Sequence, residues 1–193
     1  MSNDRAITAL LSHHWIGDFE GAHTLILKED GTGEILVRSE LTIALAAHLT
    51  WKIVASGPVN DSDPPAQSLL GKLLGLEPPS TDALIATIEI TFSKDTNPMS
   101  LIPASRSSEI GVIQLRPSAL EPKCFRVVVR KGEFIPSFWR AISGVKSPTY
   151  GLQLCFDRSP YPPVKEWIPD SWPMVRSIEP FTCVSFVARD VKK

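Results

Sequence analysis

Short runs of alternating apolar and polar residues, separated by Gly, Pro, Ser and Asp, recur along most of the chain. The clearest example is HTLILKEDGTGEILVR, residues 23–38, where two apolar runs flank the tetrad Asp30-Gly31-Thr32-Gly33. Two glycines around a small polar residue supply the positive φ angles that a tight antiparallel turn requires. The sequence therefore predicts a β-hairpin in this stretch.

Period-two alternation continues beyond the hairpin. From Leu41 to Ile53 every odd position is apolar, and Leu84 to Phe92 follows the same pattern. A strand as long as the first of these must bend or break, and residues 46–48 are the expected place. Further strand-like runs follow, at residues 109–116, 124–130, 150–157 and 181–190. With the hairpin counted as two strands, about eight strands at most are expected, which is enough to close an all-β, antiparallel up-and-down barrel around one small ligand.

Two segments interrupt the strand pattern. Residues 4–12 predict one short helix that would suit a plug across one end of the barrel. Residues 56–82 are marked by Gly-Pro and Pro-Pro pairs and predict a long loop. The leucine-rich island inside this loop, residues 68–76, is either a surface helical turn packed on the barrel wall or a moving lid.

A third segment, residues 159–180, is rich in proline. Because proline cannot donate to a central ladder, we expect this segment to run extended over the surface, with Trp167 and Trp172 as anchors. The chain as a whole, residues 1–193, is predicted to be a single domain, long enough to bury a core or to enclose a cavity.

Charge and cysteine content narrow the functional classes. The chain has 20 basic and 21 acidic residues, so it carries no basic field to hold nucleic acid or anionic lipid. Its apolar runs are too short for a membrane span, and the N-terminal one is too short for a secretory signal. The three cysteines lie in strand-like runs, where a free thiol acts as a small hydrophobe. We therefore expect a reduced cytoplasmic protein; its oligomeric state is left open.

Familiar catalytic and metal-binding motifs are missing from the sequence. It contains no G-x-S-x-G, no glycine-rich phosphate loop, no H-E-x-x-H and no C-x-x-C. Neighbouring residues on an extended chain point to opposite sides, so His13 and His14 are not expected to share a metal ion. No metal and no cofactor are therefore expected, and a Ser/His/Asp or Cys/His group would have to be assembled from distant segments.

The candidate binding residues follow from the alternation of inward-facing and outward-facing residues along each predicted strand. If the apolar face of each strand, odd-numbered in the early strands, points inward, a few polar groups lie among aliphatic side chains. Such polar groups fix the orientation of a ligand in an apolar pocket. Tyr150 and His23 are the candidate catalytic or orienting groups. The candidate ligand contacts are Trp51, Leu25, Leu27, Leu49, Ile53 and Leu152, with Trp139 near the predicted mouth at residues 134–140.

A structural alternative exists for each polar candidate. Trp51 and Tyr150 are also explained as core residues whose N–H or O–H is hydrogen bonded, and His23 as a solvated rim residue.

A resemblance to a known family supports the barrel. Trp15, then TLILKEDGTGEI, then LTWKI at residues 49–53, resembles the opening of small lipocalin-like domains of the calycin superfamily. The resemblance covers roughly residues 14–54 and implies an eight-stranded antiparallel barrel with an apolar cavity, used to carry hydrophobic small molecules. It also implies that Trp15 closes the barrel base. Some lipocalin-like proteins of natural-product pathways are similar too, and these act as cofactor-free cyclases or isomerases.

Two functions follow as hypotheses. The first is a binding protein that encloses a hydrophobic small molecule. The second is a cofactor-independent, pericyclase-like cyclase or isomerase that folds an apolar polyene, polyketide or terpenoid-like substrate and polarises a carbonyl through Tyr150, Trp51 or His23. A structural or protein-interaction module would instead have a barrel filled with side chains.

Overall fold

The computed structural model describes the chain in six ranges, residues 3–18, 21–39, 42–57, 83–135, 148–168 and 180–189. Within them, eight antiparallel strands form a closed barrel in which each strand pairs with the next and the last returns to the first. The predicted all-β up-and-down barrel is therefore confirmed. The strands are β1 (His14–Ile16), β2 (His23–Leu27), β3 (Thr32–Arg38), β4 (Ile43–Gly57), β5 (Leu84–Phe92), β6 (Lys123–Phe134), β7 (Tyr150–Phe156) and β8 (Ser185–Ala188). The predicted short helix is α1 (Asn3–Leu11), directly before β1.

The two ends of the barrel differ in what lies over them. At one end β2, β4 and β6 finish and β3, β5 and β7 begin; we call it the turn end, because the turn at Asp30 and Gly31 lies there. At the other end β5 and β7 finish, and the connections that follow them pack onto the barrel core. We call this the cap end. Because β1 runs from the turn end to the cap end, α1 lies at the turn end.

The hairpin turn uses its two glycines differently from the prediction. Gly31 has a φ of 82°, as expected for this turn. Gly33 does not have a positive φ; instead, a β-carbon at Gly33 would lie 2.3 Å from the carbonyl oxygen of Ile26 and 2.8 Å from a methyl carbon of Leu49. Gly33 is therefore required for the close approach of β2, β3 and β4 at the turn end.

The long strand β4 is continuous where a bend or break was expected. It runs unbroken from Ile43 to Gly57, and its register with β5 shifts only between Ile53 and Ala55. Of the two expected alternatives, two strands or one continuous strand, the structure has the continuous one. No break occurs at residues 46–48, where Ala46 is fully buried on the outer face, in a second apolar cluster with Met99, Ile102 and Ile110. A strand buried on both faces loses its alternation without breaking.

One predicted strand was wrong and one real strand was missed. Residues 109–116 follow a 3-10 helix, Ala104–Glu109, and form only isolated bridges, one of them between Leu115 and Trp167. Their alternation comes from packing against the barrel. The strand that completes the barrel is β1, which is too short to show a period in the sequence.

The start of the proline-rich segment is part of the core rather than a surface strap. Pro160, Tyr161 and Pro162 are buried, and Val164–Glu166 forms a 3-10 turn. Trp167 is buried and its indole N–H donates to the Pro162 carbonyl at 2.8 Å, so its predicted anchoring role is confirmed. The expectations for residues 58–82, with their leucine island, and for Trp139 and Trp172 lie outside the described residues.

We expect Gly33→Ala to lower the free energy of unfolding by about 2 kcal/mol or more, because the new methyl group must displace strand backbone. Urea denaturation measures this loss. Gly132→Ala is the control, since its β-carbon would meet only the ring of Phe134 at 3.1 Å, and we expect a change of about 0.5 kcal/mol or less. Equal losses in the two variants would show that Gly33 is not a close-approach position.

Candidate functional site

The inner face of the barrel is apolar along most of its length. The register places side chains from all strands into one continuous cluster, which also includes Ile7 and Leu11 of α1. Trp15 is fully buried within it, and its indole N–H donates to the Leu11 carbonyl at 2.8 Å. The helix therefore packs across part of the turn end, beside β1 and against β4, as the sequence predicted.

The cap end is sealed by the connections after β5 and β7. Tyr161 is 2% exposed, and its ring lies 5.5 Å from the ring of His23 and 6.2 Å from that of Phe186. Its hydroxyl donates to the Leu36 carbonyl at 3.2 Å, which ties this cap to β3. Burial raises the pKa of Tyr161 well above its usual value, so the phenol stays protonated at neutral pH.

Among the described residues, part of the turn end is more exposed than the cap end. Four inward-facing residues lie toward this end on successive strands, Ile53, Leu84, Lys131 and Tyr150; we call this group the mouth. Beyond the register shifts, Ser56 and Phe134 lie on the same inner face, closer to the end, because they pair with Ala86 and Tyr150. Ile53, Leu84 and Tyr150 are half-buried and Lys131 is exposed, whereas the inner residues below them, such as Leu152, are fully buried. Among the described residues, the inner face is therefore more exposed toward the turn end than at the cap end.

The structure places the described predicted ligand contacts in or against one apolar cluster. Ile53 belongs to the mouth and packs against this cluster. The other five are buried members of the cluster: Trp51, Leu152, Leu25, Leu27 and Leu49.

The indole N–H of Trp51 already has a structural partner. It donates to the Lys28 carbonyl at 3.0 Å, and the backbone N–H of Trp51 donates to the Gly31 carbonyl at 2.7 Å. These bonds fix the ring against the hairpin turn, so the ring face rather than the N–H is left to contact a ligand.

The two predicted catalytic residues lie at opposite ends of the barrel. Tyr150 begins β7 at the turn end, whereas His23 begins β2 at the cap end beside Tyr161. They face the same interior, but strand order places them at opposite ends of it.

His23 instead belongs to a half-buried group at the cap end with Cys183 and Asp18. A β-carbon at Gly17 would lie 2.7 Å from Sγ of Cys183 and 2.9 Å from Cβ of His23, so this packing requires a glycine. Asp18 accepts the backbone N–H of His23 at 3.3 Å. Burial raises the pKa of the Cys183 thiol to about 12, and the Asp18 carboxylate adds to this effect. The thiol is therefore protonated at neutral pH and is not an activated nucleophile.

Two lysines on the inner face were missed by the sequence analysis. The predicted strand at residues 124–130 was too short at both ends, because β6 runs from Lys123 to Phe134; Lys123 and Lys131 are among the omitted residues. Both lysines face inward, as Phe125, Val127 and Val129 do. A predicted strand that extended over both lysines would have placed them on the inner face. Lys123 forms an ion pair with the buried carboxylate of Glu166 at the cap end.

Glu34 is a buried carboxylate on the outer face of β3. Its Oε2 accepts hydrogen bonds from the Ser100 hydroxyl at 2.9 Å and the Leu101 N–H at 3.1 Å, and Oε1 lies 3.4 Å from Nζ of Lys28. Burial opposes ionisation, but these hydrogen bonds outweigh it, so the pKa of Glu34 lies below its usual value. The carboxylate holds the connection after β5 against the barrel wall.

Within the described ranges, no group of three or more His, Cys, Asp or Glu side chains is placed to hold a metal ion. The described helices include none that is both long and apolar enough to cross a membrane.

Because its folded-state pKa is lowered, Glu34 stabilises the fold above its unfolded value of 4.5, and this contribution is lost as the pH falls through the folded value. We expect Glu34→Gln to be less stable than the wild type at neutral pH, but to lose less stability than the wild type between about pH 5 and pH 3. Urea titrations across this range measure the difference. Glu29→Gln, at an exposed turn residue, should keep the wild-type profile; the same profile in Glu34→Gln would contradict the assignment.

Comparison of the chain with protein-family models, curated proteins and solved structures finds no match. The eight-stranded antiparallel closed barrel is consistent with a lipocalin-like fold.

Proposed function

We propose that this chain is a lipocalin-like protein that binds a hydrophobic small molecule through the mouth of its barrel. The observation that carries the proposal is the one-sided exposure of the inner face. At the cap end, Tyr161, Trp167 and Phe186 are buried, whereas at the mouth Ile53, Leu84 and Tyr150 are half-buried and partly reach solvent. Apolar side chains that face the inside of a barrel and still meet solvent form a concave apolar surface of the kind that small-molecule sites use.

The surroundings of the mouth suit an apolar ligand. Trp51, whose ring is held by two hydrogen bonds to the hairpin turn, lies below it, and a fixed aromatic ring offers contact area at little cost in conformational entropy. Leu152 and Val129 continue the apolar surface inward. Each methylene group that leaves water on this surface contributes about 0.8 kcal/mol. The affinity for a ligand would therefore come from the apolar area that it buries, and the Tyr150 hydroxyl would set the orientation of the ligand.

Binding of the neutral fluorescent probe N-phenyl-1-naphthylamine tests the site. We expect saturable fluorescence enhancement with the wild type and at least about fivefold weaker binding to Ile53→Trp, because the larger side chain fills the mouth. Val54→Trp is the matched control: Val54 is the next residue on β4, is 52% exposed, and should keep wild-type affinity within about twofold. Circular dichroism verifies that both variants fold.

Absence of saturable binding to the wild type would reject the site. Equal weakening in Ile53→Trp and Val54→Trp would place the probe elsewhere.

The cyclase or isomerase hypothesis rests on a single described group, the Tyr150 hydroxyl among apolar side chains at the mouth, since His23 lies at the other end. Tyr150→Phe separates the two functions. A carrier should bind the neutral probe with less than about threefold change, because only one hydroxyl is lost from an apolar contact. An enzyme that polarises a carbonyl through this hydroxyl should lose turnover by about a hundredfold or more, measured with any polyene substrate that the wild type converts.

A further inference from the structure

Most of the large apolar side chains that meet solvent lie at the cap end. Among the described residues, five such side chains are exposed, and only Val54 lies on a strand, toward the turn end of β4. The other four lie in the connections after β5 and β7: Ile113, which is 87% exposed, Val164, Ile168 and Val184. Single exposed apolar residues are ordinary on a protein surface, whereas neighbouring ones mark an interaction surface.

Three of these four side chains are neighbours, because two chain segments, residues 113–116 and 164–168, are joined at the cap end. The backbone N–H of Ile168 donates to the Gln114 carbonyl at 2.9 Å, so the two segments lie side by side. Val164 begins the 3-10 turn of the second segment. We call the three exposed side chains of these segments the cap patch: Ile113, Val164 and Ile168.

Buried residues between the exposed ones anchor the cap patch to the barrel. Leu115 and Trp167 pair through a β-bridge, and both belong to the apolar core. The Arg116 backbone N–H donates to the Glu166 carbonyl at 2.8 Å and joins the segments a second time. The aliphatic side chains are therefore displayed on an anchored backbone.

The same two segments display cations and turn their one acid inward. In residues 164–168 the acid, Glu166, is buried, and its carboxylate forms an ion pair with Lys123. The charged side chains that stay exposed in the two segments are Lys165 and Arg116. Exposed cations are ordinary by themselves, but here they stand beside three exposed aliphatic side chains, with no exposed carboxylate in either segment.

We propose that the cap patch docks on an anionic membrane surface. Aliphatic side chains enter the boundary between head groups and acyl chains, and each Lys or Arg near anionic head groups contributes about 1 kcal/mol. The patch has no aromatic side chain, the type in which protein interfaces are enriched. A net charge of -1 predicts no long-range attraction to anionic lipid, so binding depends on contact between the patch and the surface.

Docking in this way is independent of the proposed function. The cap patch lies in the connections at the cap end, whereas the mouth lies toward the turn end. A molecule held by the patch therefore directs its mouth away from the membrane.

Co-sedimentation of the full chain with lipid vesicles tests the proposal. We expect the wild type to bind vesicles of phosphatidylcholine that contain about one third phosphatidylserine. It should bind vesicles of pure phosphatidylcholine about tenfold more weakly, because the two cations gain nothing from a neutral surface. Raising the salt concentration from about 0.02 to 0.5 M should weaken binding to the anionic vesicles.

Ile113→Asp should weaken binding to the anionic vesicles by about tenfold or more, because it removes an aliphatic side chain and adds a charge that anionic lipid repels. Val54→Asp is the matched control. It makes the same substitution at an exposed valine away from the cap end, and its binding should stay within about twofold of the wild type.

A second pair of variants isolates the cations. Lys165→Gln should weaken binding to the anionic vesicles by about fivefold, the contribution of one cation. Lys52→Gln removes the same charge from a lysine of β4 that is 66% exposed, and it should keep wild-type binding within about twofold.

Absence of wild-type binding to both kinds of vesicle would overturn the proposal and leave a protein as the partner of the cap patch. Equal binding to both kinds, or equal weakening by Ile113→Asp and Val54→Asp, would also overturn it. Circular dichroism verifies that the variants fold. Without vesicles, Ile113→Asp should bind N-phenyl-1-naphthylamine as the wild type does; a loss of probe binding would assign Ile113 to the ligand site instead.

Discussion

Trp15 packs between α1 and the inner face of the barrel, and the closed barrel depends on this contact. β1 has only three residues, and its register with β8 consists of one pair, Ile16 with Val187. So short a ladder gives few hydrogen bonds. A buried Trp contributes about 150–250 Å² of covered surface, and its N–H bond to Leu11 ties the helix to the strand. The packing of the Trp15 side chain therefore contributes more to closing the barrel than the pairing of β1 with β8 does.

Closure gives the chain an interior, and the interior has different chemistry at its two ends. At the cap end, polar groups are matched within the protein: the Tyr161 hydroxyl with a strand carbonyl, and Lys123 with Glu166. Among the described residues at the turn end, Lys131 is exposed and Tyr150 is half-buried.

Alternation in the sequence predicted every strand except β1, and the face on which their residues lie, but it also predicted a strand at residues 109–116 and could not give a residue's height along the barrel axis. Tyr150 and His23 were correctly placed on the inner face, yet strand order puts them at opposite ends. The pattern failed where burial was two-sided, as at Ala46, and where a strand was too short to have a period, as in β1.

Other features of the site depend on contacts that no local pattern records. The group of His23, Cys183 and Asp18 joins residues from both ends of the sequence. Lys131 was visible by parity but lay one residue beyond the predicted strand. The role of Gly33 comes from the approach of Ile26 and Leu49, not from its own backbone angle. The sequence therefore predicts periodic secondary-structure elements best, and it predicts the contacts between those elements least well.

The short seam between β1 and β8 also has a consequence for the order of folding. Every other pair in the barrel joins strands that are consecutive in the chain, and β3 to β6 share the longest ladders. Only β1 and β8 must find each other across nearly the whole sequence, and bringing distant segments together costs chain entropy that grows with their separation. We expect the central meander to form first as an open, curved sheet, and the seam to join last, when Trp15 enters a core that is already in place.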